Sequence, residues 1–107
     1  MKLIIEIDDQ KYTVEVPESL VTEADEFFAK MDADMDCGWQ MSRWWVPDPD
    51  LTQRCQIVAD KLLTALQKNN NDSVNLMCAY ILKSKPDTRR VLINIEGEIQ
   101  GNQFLPE

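Results

Sequence analysis

KLIIEI at residues 2–7 and KYTVEV at residues 11–16 alternate apolar and mostly polar positions, Ile4 being the exception. Leu3, Ile5 and Ile7 fall on one side of the first run, and Tyr12, Val14 and Val16 on one side of the second. Glu6, Asp8, Thr13 and Glu15 fall opposite them. A period of two with one apolar face is the pattern of a strand half-buried against a core. Asp8-Asp9-Gln10 between the runs supplies turn-tolerant side chains, so the pair predicts an antiparallel hairpin.

Outward from this hairpin the period changes. Pro17 ends the second run and suits the first turn of a helix. Leu20, Ala24, Phe27, Phe28 and Met31 then recur at helical spacing, predicting one helix to about residue 33. Asp48 and Pro49 offer an N-cap and first turn for a second helix over about 49–68. Its stripe is Leu51, Cys55, Val58, Leu62, Ala65 and Leu66. Asn69-Asn70-Asn71 separates it from a third helix, about 73–84, whose centre is apolar nearly all round. RRVLINIE at 89–96 reads as a third strand, with Val91, Ile93 and Ile95 on one face. The last residues, 97–107, read as a loosely ordered tail.

The expected fold is therefore one α+β domain spanning 1–107, a two-layer sandwich of order β-β-α-α-α-β. A three-stranded antiparallel sheet carries three helices on one face. Ile4 and Leu92 lie on the otherwise polar sheet face, a small apolar patch that leaves room for a homodimer.

Composition narrows the function. The chain of 107 residues carries 19 acidic and 11 basic side chains, a net charge of −8. Residues 1–53 hold 13 acids and 4 bases, so the negative charge resides in the first half. This balance lacks the basic footprint that phosphate backbones or anionic membranes require. No apolar run approaches the roughly 18 residues of a membrane span, and MKLIIEIDD is too short in its apolar part for a secretory leader. Histidine is absent, which removes Ser-His and Cys-His catalysis and histidine metal sites. Cys37, Cys55 and Cys78 form no C-x-x-C pair, and a reduced cytoplasmic setting is expected. Cys55 and Cys78 fall on apolar helix faces and read as core residues, while the acidic surroundings of Cys37 disfavour its thiolate.

Residues 32–50, DADMDCGWQMSRWWVPDPD, have no clean period and read as a long loop. Two patterns stand out in it. Asp32, Asp34 and Asp36 place hard oxygen ligands at alternate positions, as calcium loops do. Their start resembles the D-x-D-x-D-G of an EF-hand, but the sixth position is Cys37 and the twelfth is Arg43 rather than Glu. Next, Trp39, Met41, Arg43, Trp44 and Trp45 gather the residue types enriched at protein interfaces.

The stretch MDADMDCGWQMSRWW, continuing into RCQIVADKLLTAL, resembles a segment of an uncharacterised family of small proteobacterial proteins. The resemblance implies a bacterial cytoplasmic setting and no particular activity.

The first expectation is a non-catalytic protein-interaction module. Trp39, Met41, Arg43, Trp44 and Trp45 would bind a partner protein of basic character beside the acidic cluster. The alternative is a Ca²⁺ or Mg²⁺ site on Asp32, Asp34 and Asp36, the one expectation that involves a cofactor. A carboxylate enzyme built on Glu23, Asp25 and Glu26 and an acidic nucleic-acid mimic rank below both. No catalytic residue is assigned, and neither nucleic acid nor membrane is expected as a partner.

Overall fold

The computed structural model describes residues 1–41, 43–96 and 98–106. In chain order the elements are β1 (Lys2–Ile7), β2 (Gln10–Glu15), α1 (Glu18–Glu23), α2 (Asp25–Asp36), β3 (Trp39–Met41), β4 (Trp44–Val46), α3 (Leu51–Gln67), α4 (Asn71–Ser84), β5 (Arg90–Ile93), a 3-10 turn (Ile99–Gly101) and β6 (Gln103–Leu105). The class is α+β. The expected three-stranded antiparallel sheet is not what forms: the main sheet has four strands in the order β2-β1-β5-β6 and is mixed, and β3 and β4 make a second, two-stranded sheet.

The hairpin expected from residues 2–16 is present, with Leu3 opposite Val14 and Ile5 opposite Tyr12. Asp8 takes the left-handed conformation, φ 55°, which Asp tolerates better than most residues. On its other side β1 pairs with β5 in parallel, Ile5 beside Val91 and Ile7 beside Ile93. Alternation tells which face of a strand is buried. It says nothing about the direction in which a distant strand arrives. Here α3 and α4 pack against each other across the short link 68–70. The turn after α4, where the Thr88 N–H donates to Lys85 O, returns the chain alongside β1 in the same sense.

The tail is the second correction. Gln103–Leu105 pairs antiparallel with β5 as the fourth strand. Asn102 fixes it there: its Oδ1 accepts from the Asn94 N–H at 2.7 Å and its Nδ2 donates to Gln56 O at 2.9 Å. Asn102 is buried, and both ends of its amide are satisfied by backbone.

The single helix expected over 17–33 is two helices, parted at Ala24 (φ −98°, ψ 31°). The Thr22 hydroxyl donates back to Glu18 O and Ser19 O, a bond type that bends helices. The second piece runs three residues further than expected and buries Phe28, Met31 and Met35, while Phe27 stays exposed. The cap of α3 also differs. Asp50, not Asp48, closes it in a reciprocal capping box: the Gln53 N–H donates to Asp50 Oδ1 at 2.8 Å and the Asp50 N–H donates to Gln53 Oε1 at 2.9 Å.

The core lies between one face of the main sheet and the helices. Leu3, Ile5, Val91 and Ile93 meet Ile57, Val58, Leu62, Cys78, Ile81 and Leu82 there. Cys55 and Cys78 are fully buried free thiols and Cys37 is an exposed one. Desolvation pushes Cys55 up to about 11 and Cys78 up to about 12. Among the described residues no helix is long and apolar enough to cross a membrane.

Candidate functional site

The segment 32–50 is not a loop. Its first residues finish α2, and 39–46 form the antiparallel ribbon β3–β4. Trp39 pairs with Val46, Gln40 with Trp45, and Met41 with Trp44. Cross-strand partners project to the same side and successive residues alternate. Trp39, Met41, Trp44 and Val46 therefore share one side, and Gln40 and Trp45 the other. The first side lies on the core: Met41 is 0% exposed, and Trp39 and Val46 pack against the buried cluster. Lys61 Nζ stands 4.8 Å from the centre of the Trp39 ring.

The far end of the ribbon buries Met41 but leaves the tryptophans of β4 in water. Trp44 is 62% exposed and Trp45 59% exposed, the two largest such values among the large apolar residues described. Arg43, between the strands, is exposed as well. Trp45 covers Gly38, whose φ is +100°; a Cβ there would come within 2.5 Å of Trp45 Cζ2. Only glycine meets both demands. Of the five expected partner-binding residues, Arg43, Trp44 and Trp45 are thus available to a partner. Met41 is core, and Trp39 is half covered. Met41 cannot be recognised as core from sequence, because alternation within a three-residue strand is too short to show.

The near end is held by one side chain that the sequence reading passed over. Arg54, on the first turns of α3, is only 15% exposed and reaches both flanks of the ribbon. Before the ribbon it donates to Asp36 Oδ1 at 2.5 Å, Asp32 Oδ1 at 3.2 Å and Asp32 O at 3.4 Å. After the ribbon its Nε donates to Pro49 O at 2.9 Å, and Asp48 Oδ1 stands 3.7 Å from its Nη2. The bond to Asp36 is the largest influence on the guanidinium and, with Asp32, outweighs its desolvation, so its pKa is raised further. Asp32 also accepts from the Tyr80 hydroxyl at 2.6 Å, and Tyr80 stacks edge-on against Phe28. Burial first, then the Asp32 carboxylate, push the Tyr80 phenol upward.

This arrangement shows where the three aspartates of the cation reading lie. Asp32 and Asp36 lie one turn apart on a helix and share a face. Asp34 is rotated to another side and is exposed. The two aligned carboxylates already have a cation, the guanidinium of Arg54. Among the described residues no three His, Cys, Asp or Glu side chains are grouped to hold a metal ion. A signal for Arg54 did exist: it is the first base after a half-chain of net charge −9.

Beside this network lies a cavity of about 500 Å³ lined by Phe28, Asp32, Leu51, Tyr80, Lys83 and Ser84, with Asp25 and Ala29. Lys83 is ion-paired to Asp25. Glu23 and Glu26, the other carboxylates considered for acid–base work, are exposed on α1 and α2. No known protein family model, curated protein or solved structure matches this chain.

Proposed function

We propose that the protein is a small non-catalytic interaction module whose β3–β4 ribbon inserts Trp44 and Trp45 into a basic partner protein. The observation that carries this reading is the exposure of two adjacent tryptophans, 62% and 59%, on a ribbon anchored by the fully buried Met41. A large apolar group left in water on a fixed support loses little conformational freedom on binding, which favours affinity. Trp and Arg are the residue types most often found as binding anchors. The acidic surface adds selectivity: Asp34, Asp36, Asp48 and Asp50 are exposed along the flanks of the ribbon, in a chain of net charge −8. Such a rim accelerates encounter with a basic surface and repels acidic ones.

The test compares immobilised wild-type protein with the Trp44→Ala/Trp45→Ala double variant. The expected result is a protein retained by the wild type, released by raised salt, and lost from the variant while the variant stays folded, as read by its cooperative melting. Identical retention by the two proteins, or none by either, overturns the reading.

A further inference from the structure

We infer that a second copy of this chain pairs antiparallel with β2, joining two four-stranded sheets into one continuous sheet across a two-fold axis at Thr13. This surface lies apart from the tryptophan ribbon, and the inference does not rest on the proposed function.

Among the described residues β2 is an edge: it pairs with β1 and nothing pairs on its other side. It is the longest exposed edge in the molecule, six residues against three for β6 at the opposite edge. All of it except Val14 is exposed.

The backbone fixes which groups face outward. Met1 and Val16 exchange two backbone hydrogen bonds, so they form a hydrogen-bonded pair at the end of the β1–β2 ladder. In an antiparallel ladder such pairs alternate with non-bonded ones. Val14, Tyr12 and Gln10 therefore bond to β1, and Glu15, Thr13 and Lys11 direct their N–H and C=O groups to the open edge. The same alternation appears across β1, where the N–H of Ile4, opposite Thr13, donates away from β2 to Arg89 O.

A second β2 can dock only where outward groups meet outward groups. Placing Thr13 opposite Thr13 achieves this and sets Lys11 opposite Glu15 at both ends. Each of these facing pairs exchanges two backbone bonds. The side chains agree with the backbone. Lys11, which reaches Glu6 of its own chain at 3.3 Å but stays exposed, and Glu15 have opposite charges and lie on the same sheet face, and Glu15 has no ion pair among the described residues. Tyr12, 38% exposed, faces Val14 of the second copy on the other sheet face, an aromatic against a β-branched residue. A shift by two residues loses a bonded pair and sets Tyr12 against Tyr12 or Val14 against Val14, with the charges unmatched. Lysine on an edge strand ordinarily discourages pairing. Here the strand carries its own counter-charge at the position the two-fold axis requires.

The contact is a short one at the small end of the interface range, so the dimer forms at high protein concentration. The experiment measures mass by sedimentation equilibrium from about 10 µM to about 1 mM protein, the span of weak association. The expected mass rises from 12.4 kDa toward twice that value. Lys11→Glu alone and Glu15→Lys alone each weaken association about tenfold, because like charges then face each other twice. An equimolar mixture of the two variants restores it, since each supplies the charge the other lacks. Amide exchange at Lys11, Thr13 and Glu15 slows with concentration, while exchange at Tyr12 and Val14 does not change. Monomer throughout the range overturns the inference, as does association indifferent to the charge reversals. Association abolished instead by Trp44→Ala/Trp45→Ala overturns it too, and moves the self-contact to the ribbon.

Discussion

The two ends of the β3–β4 ribbon are built on opposite principles. At the near end, Arg54 gathers Asp32, Asp36, Asp48 and the Pro49 carbonyl, and Tyr80 takes a further bond to Asp32. One largely covered cation there serves three carboxylates that keep contact with water. At the far end Met41 is buried, but Trp44 opposite it and Trp45, which lies against Gly38, hold a large apolar surface in water. Asp32 and Asp36 are tied into the fold through Arg54, and Trp44 and Trp45 stand exposed beside them. Asp32 and Asp36 attract notice in the sequence as ligands for an outside ion, yet the ion they meet is part of the chain.

That contrast is open to direct attack. The largest effect is expected from Met41→Ala, which empties a fully buried site under the ribbon: a loss of about 3 kcal/mol in chemical denaturation, with freer quenching of the tryptophans. Arg54→Met comes next. It keeps much of the packing and removes the cation from Asp32 and Asp36. Because those carboxylates are partly solvated, the expected cost is about 2 kcal/mol rather than that of a fully buried pair. A ribbon whose fluorescence anisotropy stays unchanged in Arg54→Met would show that the clip does not position it.

Alkaline pH probes the buried core beside this contrast without mutation. Burial raises the Cys55 thiol from 9.0 to about 11 and the Cys78 thiol from 9.0 to about 12. Tyr80 shifts the same way. Folded values above unfolded ones mean the stability is fully present below pH 9 and is lost as pH rises toward the folded values. The expected slope is about 1 kcal/mol per pH unit for each thiol, read from denaturation midpoints between pH 9 and 11. A flat profile over that window would contradict the burial of both thiols.

The smallest effect belongs to the far end. Trp44→Ala is expected to change stability by no more than about 0.5 kcal/mol, as at other exposed positions. A cost above about 2 kcal/mol would mean that the indole is packed in solution and that the two ends do not differ.

Parts of this molecule are legible residue by residue. The alternation in 2–7 and 11–16 gives the β1–β2 hairpin, and the apolar stripes give α3 and α4 to within a few residues. The ribbon is illegible because each of its strands has three residues, too few for a period to emerge. The break at Ala24 is equally silent, since the apolar spacing runs through it. Of the candidate site, the sequence singles out Trp44, Trp45 and Arg43 as interface material but not which of their neighbours are core. Arg54 escapes notice because its partners come from 18 and 22 residues away.

The sequence by itself determined what is local: the strand faces, the helical stripes, the capping signals, the acidic first half and the absence of histidine chemistry. These depend on neighbours within a turn or a pleat, whose spacing is written in the chain. Only the tertiary structure decided the parallel arrival of β5, the recruitment of 103–105 by buried Asn102, the closure of Arg54 on its carboxylates and the exposure of Trp44 and Trp45. Each depends on where residues far apart in sequence come to rest, and packing of the whole core sets that position.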